Sequence, residues 1–293
     1  MTTPRWPRCA EVSAASADPL VATAPPVQQW FLLEHPGPWG REALAESGVD
    51  PAVAAELSAW THRSTGRVLL IRRPGRTTGR TNTRRWFHVD SRPGREAIRT
   101  GTFRDEHELP PCASDPGRGE PFDGPLYLAC THGRHDTCCA VFGRPLAAVL
   151  AATELGHAYE CSHLGGCRFA AALVALPHGY VFGRVTASEG VTIARDYTRG
   201  RVRTGLLRGR TSFPPVVQAA QYHARIATGA DGVDALRPVE VRALADGHTQ
   251  ITMVDPDCVV ELREVRMPAG RPLTCATTTP GWIRRFDLVD ARL

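Results

Sequence analysis

Apolar residues fall in short runs separated by glycine, proline and arginine. VQQWFLLEHPGPWG carries one such run, broken at Pro36, Gly37 and Pro38, and predicts a strand. REALAESGVDPAVAAELSAWTHR predicts helix, interrupted between Gly48 and Pro51. GRVLLIRRPG and TRRWFHVD predict two strands joined by a loop of Arg, Gly and Thr. Residues 91–123 are rich in Gly, Pro and charge, with few apolar anchors, and predict a linker or long loop. The next segment is more regular. GPLYLAC predicts a strand, THGRHDTC a loop, and CAVFGRPLAAVLAATEL a helix with Leu146, Val149 and Leu150 on one side. HAYECSH predicts a second strand. An LGG turn then opens a second helix, CRFAAALVAL, ended by Pro177, His178 and Gly179. YVFGRV and GVTIARD predict a hairpin, and SFPPVVQAAQYHARIAT a third helix. VEVRALADG, HTQITMVDP, CVVELREVRM and a last strand near FDLVD predict a small β unit, with Asp-Gly marking one turn.

The central order, β-α-β-α-β-β-α, is the thioredoxin-like arrangement, and the fold class is α/β. Four regions follow: a mobile arm over 1–26, an N-terminal α/β domain and linker over 27–122, a thioredoxin-like domain over 123–232, and a small β subdomain over 233–293. WFLLEHPGPWG and LYLACTHGRHD are both strand-then-loop and are each followed by a helix. On that echo, the N-terminal region reads as a degenerate copy of the central domain that lost its cysteines, or as a chance similarity of two βα units.

Composition adds limits. The 293 residues are 42% hydrophobic and 22% charged, ordinary for a folded protein, with a formal charge of +5. Every basic residue besides histidine is arginine. No apolar run approaches the roughly 20 residues that span a bilayer. The N-terminal MTTPRWPRCAEVSAASADPL lacks the apolar stretch of a signal peptide, so a cytoplasmic protein is expected. Nine cysteines, an odd number, argue against a disulfide framework in that compartment. Five of them, Cys130, Cys138, Cys139, Cys161 and Cys167, share one short window. Cys9, Cys112, Cys258 and Cys275 are scattered, and Cys275 reads as structural or exposed.

The window has two halves: Cys130-Thr-His-Gly-Arg-His-Asp-Thr-Cys138-Cys139, and Cys161-Ser-His163-Leu-Gly-Gly-Cys167. Thiolates and imidazoles suit iron–sulfur clusters or zinc. On parallel neighbouring strands both loops lie at one end of the sheet and can converge. Gly165 and Gly166 permit positive φ and close backbone approach. A helix start behind them adds partial positive charge. Buried core thiols are the bland alternative. Spacing alone leaves Cys138 open against Cys139, and Cys161 against Cys167.

CTHGRHDTCC followed by CSHLGGCRFAAALVALPHGYVFGRV resembles the sucrase/ferredoxin-like family of thioredoxin-like ferredoxins. APPVQQWFLLEHPGPWG is similar to the opening of its bacterial members. The resemblance implies a [2Fe-2S] cluster and a redox or electron-transfer role. Carried over by position, it implies ligation by Cys130, Cys139, His163 and Cys167. The family's H-x-G-G-H reads H-x-G-G-C here, which implies three cysteines and one histidine. Cys138 and Cys161 are the alternates. Gly165, Gly166 and Arg168 would lie just behind the ligands. A histidine ligand keeps one ring nitrogen that can carry a proton, so reduction would couple to protonation of His163.

His132 and His135 read as flanking or solvent-facing groups, and Arg134 and Arg168 as cations near the site or ordinary surface arginines. Two arginine runs, 72–85 and 195–210, read as solvated loops or as docking faces for an acidic redox partner. Modest net charge does not favour nucleic-acid binding, and no membrane role is expected. Two other functions stand beside the electron carrier. One is a thiol oxidoreductase, for which no C-x-x-C opens a helix. The other is a structural Cys3His zinc module. No pair of carboxylates nominates glycoside hydrolysis, and no G-x-G-x-x-G suggests a nucleotide cofactor.

Overall fold

The computed structural model describes residues 8–75 and 83–293. In chain order its elements are α1 (Cys9–Ala15), β1 (Gln29–Glu34), α2 (Ala43–Glu46), α3 (Pro51–Ser64), β2 (Gly66–Arg72), β3 (Arg84–Asp90), β4 (Ala97–Phe103), α4 (Leu109–Ser114) and β5 (Glu120–Pro121). They continue with β6 (Leu126–Cys130), α5 (Thr137–Ala151), β7 (His157–Cys161), β8 (Leu173–Leu176), β9 (Tyr180–Phe182), α6 (Ala187–Thr198), β10 (Leu207–Arg210) and α7 (Pro215–Thr228). The chain closes with β11 (Arg237–Ala243), β12 (His248–Val254), β13 (Cys258–Pro268) and β14 (Trp282–Arg292). The fold is α/β. No helix among the described residues is long and apolar enough to cross a membrane.

Ten strands form one sheet in the order β10-β9-β8-β6-β7-β2-β1-β3-β4-β5. In the central half β6 and β7 run parallel, β8 lies antiparallel beside β6, and β9 antiparallel beside β8. The N-terminal half repeats this order: β1 and β2 are parallel, β3 is antiparallel to β1, and β4 antiparallel to β3. The halves meet edge to edge where β2 pairs antiparallel with β7, Ile71 opposite Cys161 and Arg72 opposite Glu160. Both inner strands are covered on two faces. That is why WFLL in β1 and LYLAC in β6 are buried throughout rather than alternating. The separate four-stranded sheet β11-β12-β13-β14 lays Ile251, Met253, Val260 and Leu262 against Val217, Ala220 and Ala224 of α7.

Several helices start where local chemistry dictates. Asp50 accepts from the Ala52 and Val53 amides ahead of α3, with Pro51 in the first turn. Val53, Leu57 and Trp60, spaced by four and three, are the buried side of that helix.

Four expectations are corrected. Residues 8–26, expected as a mobile arm, form α1 and an ordered segment that buries Cys9, Ala10, Ser13, Ala22 and Ala24. Small side chains pack closely without raising hydrophobicity, so the sequence conceals this. Within 91–122, expected as linker, β4, α4 and β5 bury Ile98, Phe103, Leu109 and Ala113. CRFAAALVAL is not a helix: Cys167–Phe169 make a 3-10 turn, and Leu173–Leu176 are strand β8, paired with β6. Sheet pairing overrides the helix propensity of the alanines. GVTIARD lies in α6, which Thr186 caps reciprocally with Glu189, and the hairpin is β8–β9 instead. The central order is therefore β-α-β-β-β-α-β-α. On α5, Leu146 and Leu150 are buried but Val149 is exposed.

His88 of β3 is 3% exposed, and its Nε2 has no hydrogen-bond partner. Burial lowers its pKa from 6.5 to about 4. Between those values the unfolded chain binds the extra proton. Stability is then whole above 6.5 and falls as pH drops toward 4, by up to about 3 kcal/mol from this group. Urea unfolding at pH 7 and pH 4.5 should show a clearly smaller loss in His88→Gln than in the parent. An equal loss in both would refute the assignment.

Candidate metal centre

The β6/β7 pair sets Cys130 level with Cys161, so the loops leaving both strands share one end of the sheet. The first loop ends at Asp136, whose carboxylate accepts from the Cys138 amide at 2.9 Å and starts α5. Cys138 and Cys139 thereby sit in the first helical turn. In the second loop Gly165 and Gly166 have φ of +93° and +75° and deliver Cys167 into its 3-10 turn. A Cβ on Gly166 would meet the Arg208 guanidinium at 2.4 Å, so glycine is required there for space as well as for φ.

Four sequence-selected residues come together. Ligand atoms of Cys130, Cys139 and His163 lie within 4.8 Å of one another, and Cys167 Sγ is 3.4 Å from His163 Nδ1. The three cysteines are 2–3% exposed and His163 is half-buried. Cys161 joins no such group among the described residues. Cys138, although adjacent to Cys139, belongs to a different group with Cys9, Asp136 and Cys275. Cys275, expected as structural or exposed, is exposed.

The charges are organised as a network. Hydrogen bonding to the Cys139 thiol, assisted by His163, lowers Cys130 well below its ordinary value and lowers Cys167 as well. Between two such neighbours Cys139 is raised far above its ordinary value. Burial opposes charge on His163, but hydrogen bonding to Cys130 and Cys167 prevails and lifts it to about 9. Cys161, wholly buried, is raised by desolvation. Arginines surround the thiolates. Arg67 of β2 donates to the His163 carbonyl at 2.8 Å. Arg208, 2% exposed, donates to the Gly165 carbonyl and Thr23 Oγ1 at 3.0 Å. Burial lowers its pKa to about 9.

His132 is a brace. Its Nδ1 accepts from the His163 amide at 3.2 Å while Nε2–H donates to the Gly40 carbonyl at 2.6 Å, which fixes a neutral tautomer. His135 is half-buried and stacks on His163 at 3.7 Å between centroids. Arg134 is exposed. Arg168 lies over Phe169 and pairs with buried Asp18 at 3.6 Å. A chain from Thr131 through Glu160 to Arg72, at 3.0 and 2.8 Å, ties the first loop to β2, and Arg72 covers Trp39 at 4.2 Å.

Sequence reasoning missed Arg67, Arg208, Asp136 and Cys9. Asp-Thr-Cys carries a legible helix-cap signal for Asp136. Arg208 lay inside the run 195–210, read as a solvated loop. Of that run Arg208 and Arg210 are buried in β10, and Arg203 pairs with Asp196. The run 72–85 lies partly outside the described residues.

Residues 20–209 match the family model described as Sucrase/ferredoxin-like. No curated protein and no solved structure gives a significant match.

Proposed function

The chain belongs to the sucrase/ferredoxin-like family, and from that premise we propose that it holds a [2Fe-2S] cluster on Cys130, Cys139, His163 and Cys167 and carries electrons. The carrying observation is the convergence of three buried thiols and one imidazole from two loops at one end of a parallel strand pair. The donor set fits an iron–sulfur group, which supplies one-electron redox chemistry when bound. The residues around it do the rest. Arg67 and Arg208 offset thiolate charge, Gly165 and Gly166 bring backbone close, and β7 and β8 flank the strand that ends in buried Cys130. The half carrying the site is thioredoxin-like on this reading, supported by its strand order β9-β8-β6-β7 with only β6 and β7 parallel.

Burial weighs against the thiol oxidoreductase, because exchange needs an accessible thiolate and these thiols are 2–3% exposed. A mononuclear zinc ion in the same pocket is the second reading, favoured by the close approach of the ligand atoms within 4.8 Å. Anaerobic purification separates the two. A brown protein with about two iron and two sulfide per chain is expected. A colourless protein with zinc in these four residues would overturn the cluster. On the brown sample, the half-buried ring of His163 should give a potential that falls as pH rises, because the reduced state holds the proton more tightly.

A further inference from the structure

Cys138 turns away from the four residues above and meets two sulfurs from the far ends of the chain. Its Sγ lies 3.6 Å from Cys9 Sγ and 3.6 Å from Cys275 Sγ. The Asp136 carboxylate oxygens are 3.5 and 3.8 Å from Cys9 Sγ. All four ligand atoms lie within 4.8 Å of one another. We propose that Cys9, Asp136, Cys138 and Cys275 form a second metal site that takes a single thiophilic divalent ion, zinc by its ligand chemistry. It adjoins the Cys130–Cys167 centre, since Asp136 also lies within 4.8 Å of the Cys139 and Cys167 sulfurs, but its three thiols are its own.

The spacing supports one shared ion. A tetrahedral zinc with bonds of about 2.3 Å separates its sulfurs by about 3.8 Å. Two sulfur pairs, at 3.6 Å each, come near that edge length, and both share Cys138. A disulfide holds its sulfurs about 2.05 Å apart and engages only two of them, leaving the third thiol unexplained. Hydrophobic packing explains a single buried cysteine. It does not explain three gathered around a carboxylate that is 2% exposed. The carboxylate is also aimed: the Cys138 and Cys275 amides each donate to it at 2.9 Å, one per oxygen. Thiolate ligands select zinc over magnesium or calcium. The ion would fasten α1, the first turn of α5 and the segment between β13 and β14 together. Those elements are 129 and 137 residues apart along the chain.

The proposal does not depend on the iron–sulfur reading, and metal counting keeps the two apart. The full chain, grown with zinc, is assayed for zinc, iron and sulfide beside Cys275→Ser and Cys9→Ser. Cys275 is exposed, so its serine variant keeps the fold, which far-UV circular dichroism verifies. About one zinc per chain in the parent is expected, lost from both variants while iron, sulfide and visible absorption stay unchanged. A parent without zinc overturns the proposal. So does zinc that persists in both variants but leaves with Cys139→Ser, and so does a denatured, unreduced parent with two titratable thiols missing. Zinc lost with Cys275→Ser from a parent that has no iron would sustain this site and refute the cluster.

Discussion

Replacing Gly143 by alanine should destabilise the protein, although the same change stabilises most helix interiors by about 1 kcal/mol. Gly143 lies on α5 four residues after Cys139, on the same face of the helix. A Cβ there would stand 1.9 Å from the Cys130 carbonyl oxygen and 2.9 Å from its carbon. Both are backbone atoms of a buried strand, so neither can rotate away. The helix must lift off β6, and Cys139 lifts with it. Overpacking against flexible side chains costs about 1–3 kcal/mol, and backbone yields less readily. A net loss of about 2 kcal/mol or more is expected in urea, together with reduced cofactor content. A variant as stable as the parent would show that α5 is not seated on Cys130.

The adjacent thiols should separate completely. Cys139→Ser is expected to yield a colourless protein, because on the proposed assignment it removes one of the four ligands, and with it the hydrogen bonds that lower Cys130 and Cys167. Losing a mere supporting partner costs about 10–100-fold in metal affinity, and losing a ligand costs more. Cys138→Ser should remain brown, with iron, sulfide and absorption like the parent, because its sulfur faces Cys9 and Cys275. Iron analysis and visible spectra of the two variants decide the matter. Retained colour in Cys139→Ser with loss in Cys138→Ser would reverse the ligand assignment.

What the sequence made legible follows from range. WFLL, LYLAC and VVQAAQYHARIAT announce their elements because each pattern is local. The four converging residues were legible because residue type and the Gly-Gly turn mark both loops. LVAL was misread because a strand buried on both faces has no alternation to show. Cys9 and Cys275 were opaque for another reason: nothing in local spacing relates residues so far apart. Arg208 was hidden by abundance. Where every lysine position is arginine, one structural guanidinium does not stand out. Arg67 was equally hidden, since its partner, the His163 carbonyl, lies in the other half of the sheet.

The pairing of β2 with β7 also bears on self-association. Besides the two paired positions, the Ser162 amide donates to the Leu70 carbonyl at 2.8 Å and the Leu70 amide to Ser162 Oγ at 3.1 Å. A fragment beginning at 123 would leave this side of β7 bare, with unpaired amides and carbonyls beside buried apolar residues. Such an edge recruits further strands. In the intact chain the N-terminal half covers it. The sheet then ends at β5, two residues long and closed by Pro121, and at β10, four residues long with Arg208 and Arg210 in it. Both ends are too short and too awkward to template another chain. The N-terminal half thus keeps a strand next to the cysteine-rich site from becoming the seed of an aggregate.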